Sequence, residues 1–236
     1  MINIIKSKIN SFKVYIKYYL RKNSSLEDLF SSIYETRVWG SSSKSSFYSG
    51  SGSHEKKIIK IYQSEIRKFT NNFKNKPSAI DLGCGDFNVG KSIRKYFSKY
   101  YAFDVVGELI EYNKNKYKYL NVTFKQMNAL NGNLPIADII MIREVFQHLS
   151  NANINKILNK IKKKYKFLIL TEVISRSKKY KPNLDQSDGP IVRRAFKNSG
   201  IDISKSPFNF IYKKKIKSFS VRKGIKQNIV TTFYEI

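Results

Sequence analysis

From His54 to the end of the chain, short uninterrupted apolar runs alternate with stretches in which apolar residues recur every three or four positions. Ile58, Ile61, Tyr62, Ile66 and Phe69 fall on one side of a helix. Further helices are predicted over 89–97, 108–117 and 151–163, the last opened by Ser150 as N-cap. Between them 79–82, 100–103, 122–126, 139–142 and 167–171 read as strands. Strands separated by helices of this length specify a parallel sheet covered on both faces, an α/β/α sandwich of three layers. Pro190 and Gly200 bracket one more helix. The runs 208–216 and 228–236 have no helix signal between them, which predicts an antiparallel pair closing one edge of the sheet.

The first 53 residues follow a different pattern. Ile2, Ile5, Ile9, Phe12, Ile16 and Tyr19 form one apolar stripe on a lysine-bearing helix. Such a helix either packs on the body of the protein or lies on a membrane surface or partner through residues 2–21. Ser24 and Glu27 have capping-box spacing and open a second helix to about Tyr34. Trp39-Gly40 and a Ser/Gly run to Ser53 follow. They read as a linker or, because Trp39, Phe47 and Tyr48 sit among the small residues, as a flap over a ligand. The expected division is a helical and Ser/Gly-rich cover over 1–53 and the main α/β domain over 54–236.

Composition narrows the function classes. No run of about 18 uncharged apolar residues exists, so nothing is expected to span a membrane. One cysteine excludes an internal disulfide framework and a Cys-based zinc cluster, and two histidines argue against a His-rich metal site, so no metal is assigned. The start has no secretory pattern, and the protein is read as cytoplasmic, with peripheral membrane contact as an option. A net charge of +28 favours acidic partners. Its spread along the chain argues against one dedicated nucleic-acid groove, although nucleic acid stays an alternative.

The loop after the first strand, Asp81-Leu82-Gly83-Cys84-Gly85-Asp86-Phe87-Asn88-Val89-Gly90-Lys91-Ser92, carries the chemistry. Ligands of open parallel sheets sit at such strand ends. A dinucleotide fingerprint lacks its third small residue, since position 88 is Asn. A phosphate loop, G-x-x-x-x-G-K-S, is matched by Gly85–Ser92, but no acid ends a later apolar strand in the place magnesium needs, and Asp81 and Asp86 would repel phosphates. The third reading is D-x-G-x-G followed 19 residues later by Asp104 at the end of the second strand. It suits a ligand with cationic groups and a ribose, because carboxylates accept from both.

At these residues the sequence resembles the Rossmann-like, class I S-adenosylmethionine-dependent methyltransferases, over roughly residues 54–236. The segment Leu134–Ser150, with Arg143-Glu144-Val145-Phe146-Gln147-His148-Leu149, looks like that family's fourth strand and the turn after it. The resemblance implies a mostly parallel seven-stranded sheet with an antiparallel C-terminal strand. It also implies S-adenosylmethionine as cofactor, S-adenosylhomocysteine as product, and an EC 2.1.1 transferase activity. It places the cofactor at Asp81, Gly83, Cys84, Gly85 and Asp86, at Asp104 and Val105, at Asn128 and Ala129, and beside Arg143. Asn128 stands where the family usually carries an acid that meets the adenine amino group. Trp39-Gly40 with its Ser/Gly stretch, and Pro207-Phe208-Asn209, resemble a bacterial subgroup associated with glycan modification.

His148 and Glu144 are the catalytic candidates for deprotonating a hydroxyl acceptor. The bland alternatives are a histidine that fixes the turn and a salt bridge from Glu144 to Arg143. Glu172 has the same two readings. Asp86 either faces the cofactor ammonium or caps the next helix, and Cys84 packs. The loop 178–189, with Asn183, Asp185 and Asp188, borders the acceptor or is simply solvated. Arg193 and Arg194 pair with an anionic substrate or with those acids. The acceptor is expected to be a sugar, glycan or other small metabolite. Rivals are an RNA methyltransferase, a phosphate-loop NTPase and a non-catalytic basic scaffold.

Overall fold

The computed structural model describes residues 24–41, 45–190 and 193–236. The expected amphipathic helix over 2–21 lies outside the described residues, as does the side chain of Arg193. Seven strands form one sheet: β1 (Ala79–Leu82), β2 (Tyr100–Asp104), β3 (Thr123–Gln126), β4 (Ile139–Arg143), β5 (Phe167–Ser175), β6 (Lys214–Lys223) and β7 (Gln227–Glu235). Their order is β3-β2-β1-β4-β5-β7-β6. β1 to β5 pair in parallel, and β7 runs antiparallel to both β5 and β6. The helices are α1 (Leu26–Glu35), α2 (Lys56–Thr70), α3 (Gly90–Ile93), α4 (Gly107–Lys116), α5 (Asn151–Ile161) and α6 (Arg193–Phe196).

Strand alternation sorts the core into two layers. Ile80, Leu82, Ile140, Ile142, Leu168 and Leu170 face α5, whose Ile154, Ile157, Leu158 and Ile161 cover them. Ala79, Ala102, Ile139, Met141 and Ile169 face the other way, onto Tyr62 and Ile66 of α2 and Ile110 of α4. Central strands buried on both faces read as apolar runs, which is why periodicity located them.

Several boundaries differ from expectation, among them that of the helix bracketed by Pro190 and Gly200, which is the single turn Arg193–Phe196. The N-cap of α1 is Ser25, whose Oγ accepts from the Asp28 N–H at 3.1 Å, so the capping pair lies one residue beyond Ser24 and Glu27. The helix expected over 89–97 is one α turn followed by a 3₁₀ turn, Arg94–Tyr96. β5 continues to Ser175 because β7 pairs it along its whole length. The strand expected from Phe208 begins at Lys214 instead, since Phe208 and Phe210 are buried in the α5-side core as a non-strand segment. Among the described residues no helix is long and apolar enough to cross a membrane.

Ile140 is fully buried at the centre of the sheet. Ile140→Ala is expected to cost about 2–5 kcal/mol, read as a lower urea midpoint at unchanged slope.

Candidate active site

The chain passes from β1 outward to β2 and β3, then returns to β4 on the other side of β1. At this reversal the connections diverge, and a crevice opens at the carboxyl ends of the strands. A cavity of about 310 Å³ occupies it.

The β1 loop forms its floor. Gly83 and Gly85 have φ of 76° and 54°. A Cβ there would be strained, and it would lie 2.3 Å from Val145 Cγ2 or 2.5 Å from Ser49 Oγ respectively. The N–H of Gly85 donates to Asp104 Oδ2 at 3.0 Å, and that of Val106 donates to Oδ1 at 3.2 Å. Asp81 lies deeper and accepts from the Tyr100 hydroxyl at 2.9 Å. Burial pushes the Asp81 carboxyl up to about 6, against the opposing pull of Tyr100 and Arg143, and burial also raises Asp104. The Cys84 thiol is held well above its ordinary value, by burial first and then by Asp104, Asp81 and Asp86, so it is no nucleophile.

Residues 45–54 close over this floor. Ser49 and Asp86 bond reciprocally: the Ser49 N–H donates to Asp86 Oδ2 at 3.2 Å, and the Asp86 N–H donates to Ser49 Oγ at 2.8 Å. His54 Nε2 lies 2.6 Å from the same Oδ2. Asn88 Nδ2 donates to Ser53 O at 2.7 Å, and Arg143 Nη2 to Gly52 O at 2.8 Å. Above them Tyr34 packs edge-on against Trp39 and Phe47, with ring centroids 5.3 and 5.5 Å apart. Trp39 Nε1 donates to Pro190 O at 3.2 Å and completes the roof.

The far wall is the turn after β4. Glu144 has a φ of 55° and pairs with Arg143 at 2.9 Å and with Lys223 of β6 at 3.3 Å. Burial alone would raise its carboxyl, but Arg143, Lys223 and His148 outweigh it and hold the group below the usual range. His148 is buried against Trp39, ring centroids 5.0 Å apart. Its Nδ1 lies 3.2 Å from Gly189 O and its Nε2 3.2 Å from Gln147 Nε2. A carbonyl only accepts, so the proton sits on Nδ1 and the lone pair on Nε2. Burial pushes this imidazole down to about 4, despite the opposing pull of Glu144 and Gly189.

All twelve residues singled out for cofactor and catalysis border this one cavity. Several are already engaged. Asp86 holds the cover, and its Oδ1 accepts from the Asn88 N–H at 3.2 Å, whereas α3 has no side-chain cap. Asn128 Oδ1 accepts from the Leu130 N–H at 2.9 Å, leaving one lone pair. The carbonyls of Val105 and Ala129 accept from Gln126 and Lys160. The Arg143–Glu144 salt bridge is formed.

Outside the cavity, the acids of the 178–189 loop serve α5. Asp188 and Asp185 accept from the N–H groups of Ser150 and Asn151 at 2.6 and 2.8 Å. Arg194 is almost fully buried and binds protein carbonyls, so it is not a substrate-facing cation. The phosphate-loop geometry is also not formed: Lys91 is exposed away from the cavity, and the Ser92 hydroxyl is spent on Val89 O at 2.7 Å. His54, Ser49, Tyr34 and Lys223 were missed. Nothing in their sequence spacing pointed to their partners: Ser49 and His54 meet Asp86, Lys223 meets Glu144, and the Tyr34 hydroxyl lies 2.9 Å from Ser49 Oγ.

A sheet of this order, with a glycine loop and a strand-end acid, is the fold of the class I S-adenosylmethionine-dependent methyltransferases. Residues 79–166 match the family described as a methyltransferase domain. No curated protein matches the sequence significantly. The fold is similar to that of the N-methyltransferase NodS from Bradyrhizobium japonicum WM9 in complex with S-adenosylhomocysteine (TM-score 0.57, 10% identity, 75% of this chain and 86% of that one). It is also similar to magnesium protoporphyrin IX methyltransferase from Synechocystis PCC 6803 with bound S-adenosylmethionine (0.57, 11%, 89% and 95%). A third likeness is to an S-adenosylmethionine-dependent methyltransferase from Clostridium acetobutylicum ATCC 824 (0.51, 13%, 75% and 92%).

His148 binds its proton near pH 4 when folded and near 6.5 when unfolded. Between those values the unfolded chain holds more protons, so stability falls as the pH drops from 6.5 to 4. Replacing the ring by His148→Gln is expected to remove about 2–3 kcal/mol of that acid-induced loss, read from urea midpoints at pH 7 and pH 4.

Proposed function

We propose that the enzyme methylates a hydroxyl group of a sugar, glycan or other small metabolite, with His148 as general base. The observation that carries this reading is the neutral imidazole in the cavity wall, its Nδ1 directed at Gly189 O and its Nε2 left as the basic atom. A base whose conjugate acid forms near pH 4 is unprotonated throughout the neutral range. Glu144 is a weaker candidate, because two cations hold its carboxylate. In this reading its charge favours the imidazolium formed when His148 takes up a proton.

The chain's groups suit the cofactor. The glycine loop offers a backbone surface that side chains would block. Arg143 Nε is buried without a hydrogen-bond partner and suits the carboxylate of an amino-acid moiety. Asp81 suits the ammonium, Asp104 the ribose hydroxyls, and Asn128 the adenine amino group. When bound, S-adenosylmethionine supplies an electrophilic methyl group carried on a sulfonium. What remains for the protein is to hold the acceptor in line, keep water out and receive one proton. Trp39 and Tyr34 offer ring faces to a sugar, and residues 24–53 act as the cover of a catalytic domain over 54–236. An acceptor hydroxyl would take the place of Gln147 Nε2 as the donor to His148.

RNA methylation is the second reading, favoured by the net charge of +28. The roofed cavity weighs against a polynucleotide acceptor.

Calorimetric titration is expected to show binding of S-adenosylhomocysteine and none of magnesium-ATP. Asp104→Asn should weaken that binding about 10- to 100-fold, as one charge-assisted contact is lost; unchanged affinity would remove the ribose assignment. With a hydroxyl acceptor identified from a glycan and metabolite panel, His148→Ala should lower kcat about 10²- to 10⁴-fold at nearly unchanged cofactor affinity.

A further inference from the structure

The turn Phe146–His148, which carries the proposed base, sits between two buried ionisable side chains of opposite sign. Glu172 of β5 is 2% exposed and Arg194 of α6 is 1% exposed. Glu172 Oε1 accepts from the Phe146 N–H and Oε2 from the Gln147 N–H, both at 2.9 Å. Arg194 Nη1 donates to the carbonyls of the same two residues, at 3.3 Å to Phe146 O and 3.5 Å to Gln147 O. The N–H groups of Phe146 and Gln147 therefore go to the Glu172 carboxyl, and their carbonyls are shared between the guanidinium and two further donors, the Leu149 N–H at 3.0 Å to Phe146 O and Gln186 Nε2 at 2.7 Å to Gln147 O. Arg194 is held in turn by Leu184 O at 2.7 Å and Asn151 Oδ1 at 2.8 Å. The Val173 N–H fixes the next side chain by donating to Gln147 Oε1 at 3.3 Å.

Burying this ionisable pair is costly: burial pushes the Glu172 carboxyl up to about 8, against the opposing pull of the two N–H groups, and an apolar pair of similar size would hold the sheet and helix together at less cost. What an apolar pair cannot do is fix the orientation of three consecutive peptide groups, from 145–146 to 147–148. Position 147 shares its peptide with His148, so that orientation sets where the imidazole points.

We infer that Glu172 is a positioning residue for His148, acting with Arg194 to clamp the turn so that Nδ1 meets Gly189 O and Nε2 faces the cavity. Its importance for turnover rests on the reading of His148 as the base, whereas the positioning itself can be measured without an acceptor. The charged groups facing the ring are Glu144 after β4, Lys223 of β6 and Arg194 of α6. Glu172 reaches the ring only through the turn. Glu172→Gln leaves all three charges in place but presents an amide NH₂ to one of the two backbone donors.

The test is ¹⁵N-histidine NMR on the full chain. With only two histidines present, His54→Gln assigns the spectrum. The wild-type His148 ring should show the Nδ1–H tautomer and a midpoint near 4. Above pH 8, where the wild-type Glu172 carboxyl is ionised, the ring of Glu172→Gln should show mixed tautomers, while S-adenosylhomocysteine affinity stays within about threefold. A folded Glu172→Gln with the wild-type tautomer above pH 8 would overturn the inference. If that variant does not fold, Glu172→Asp keeps the charge but reaches only one of the two N–H groups. An unchanged ring there overturns the inference equally, and a partial shift supports it. A shifted ring together with undiminished turnover in His148→Ala would keep the positioning role and remove the base assignment.

Discussion

Two backbone N–H groups, those of Gly85 and Val106, converge on the carboxylate of Asp104. This contact ties the end of β2 to the loop after β1 and stabilises two glycines in the left-handed region, where the loop would otherwise have no reason to stay. The loop then places Asp86 where Ser49 and His54 can reach it, and the cover follows. A cleft at the sheet reversal is a consequence of topology, but its lining depends on this one carboxylate being satisfied by backbone.

Burial does the electrostatic work of the site, with different results at different groups. Asp81 and Asp104 lose solvent and are raised, Asp81 to about 6, so that it is still mainly ionised at neutral pH. Glu144 loses solvent too, yet Arg143 and Lys223 keep it ionised. His148, with Trp39 against its ring, is kept neutral. Three carboxyl groups and an imidazole within one cavity are thus shifted in different directions because their surroundings and nearest partners differ.

The cover resolves an ambiguity that composition left open. Small residues between Gly40 and His54 are compatible with a linker or a flap, and only their partners distinguish the two. Ser49, Gly52 and Ser53 each bond to a residue of the strand ends, and Tyr34 and Trp39 pack above them. A linker would leave such groups to water.

Much of the fold was legible because buried parallel strands are apolar on both faces and the helices between them show a regular stripe; β1 was bounded to the residue for that reason. The twelve candidate site residues also gather at one cavity, because a glycine loop, a strand-end acid and a strand-end turn are local patterns with a fixed place in such a sheet. What sequence could not determine depends on contacts between distant segments. His54 meets Asp86 across 32 residues and Lys223 meets Glu144 across 79. Arg194 reads as a partner of an anionic substrate or of the loop acids; the fold sets it 3.8 Å from Asp185 and buries it among carbonyls from 10 to 48 residues away. Local spacing encodes periodicity and backbone conformation; the partner of a charge, and with it the charge's role, is set only when the chain closes on itself.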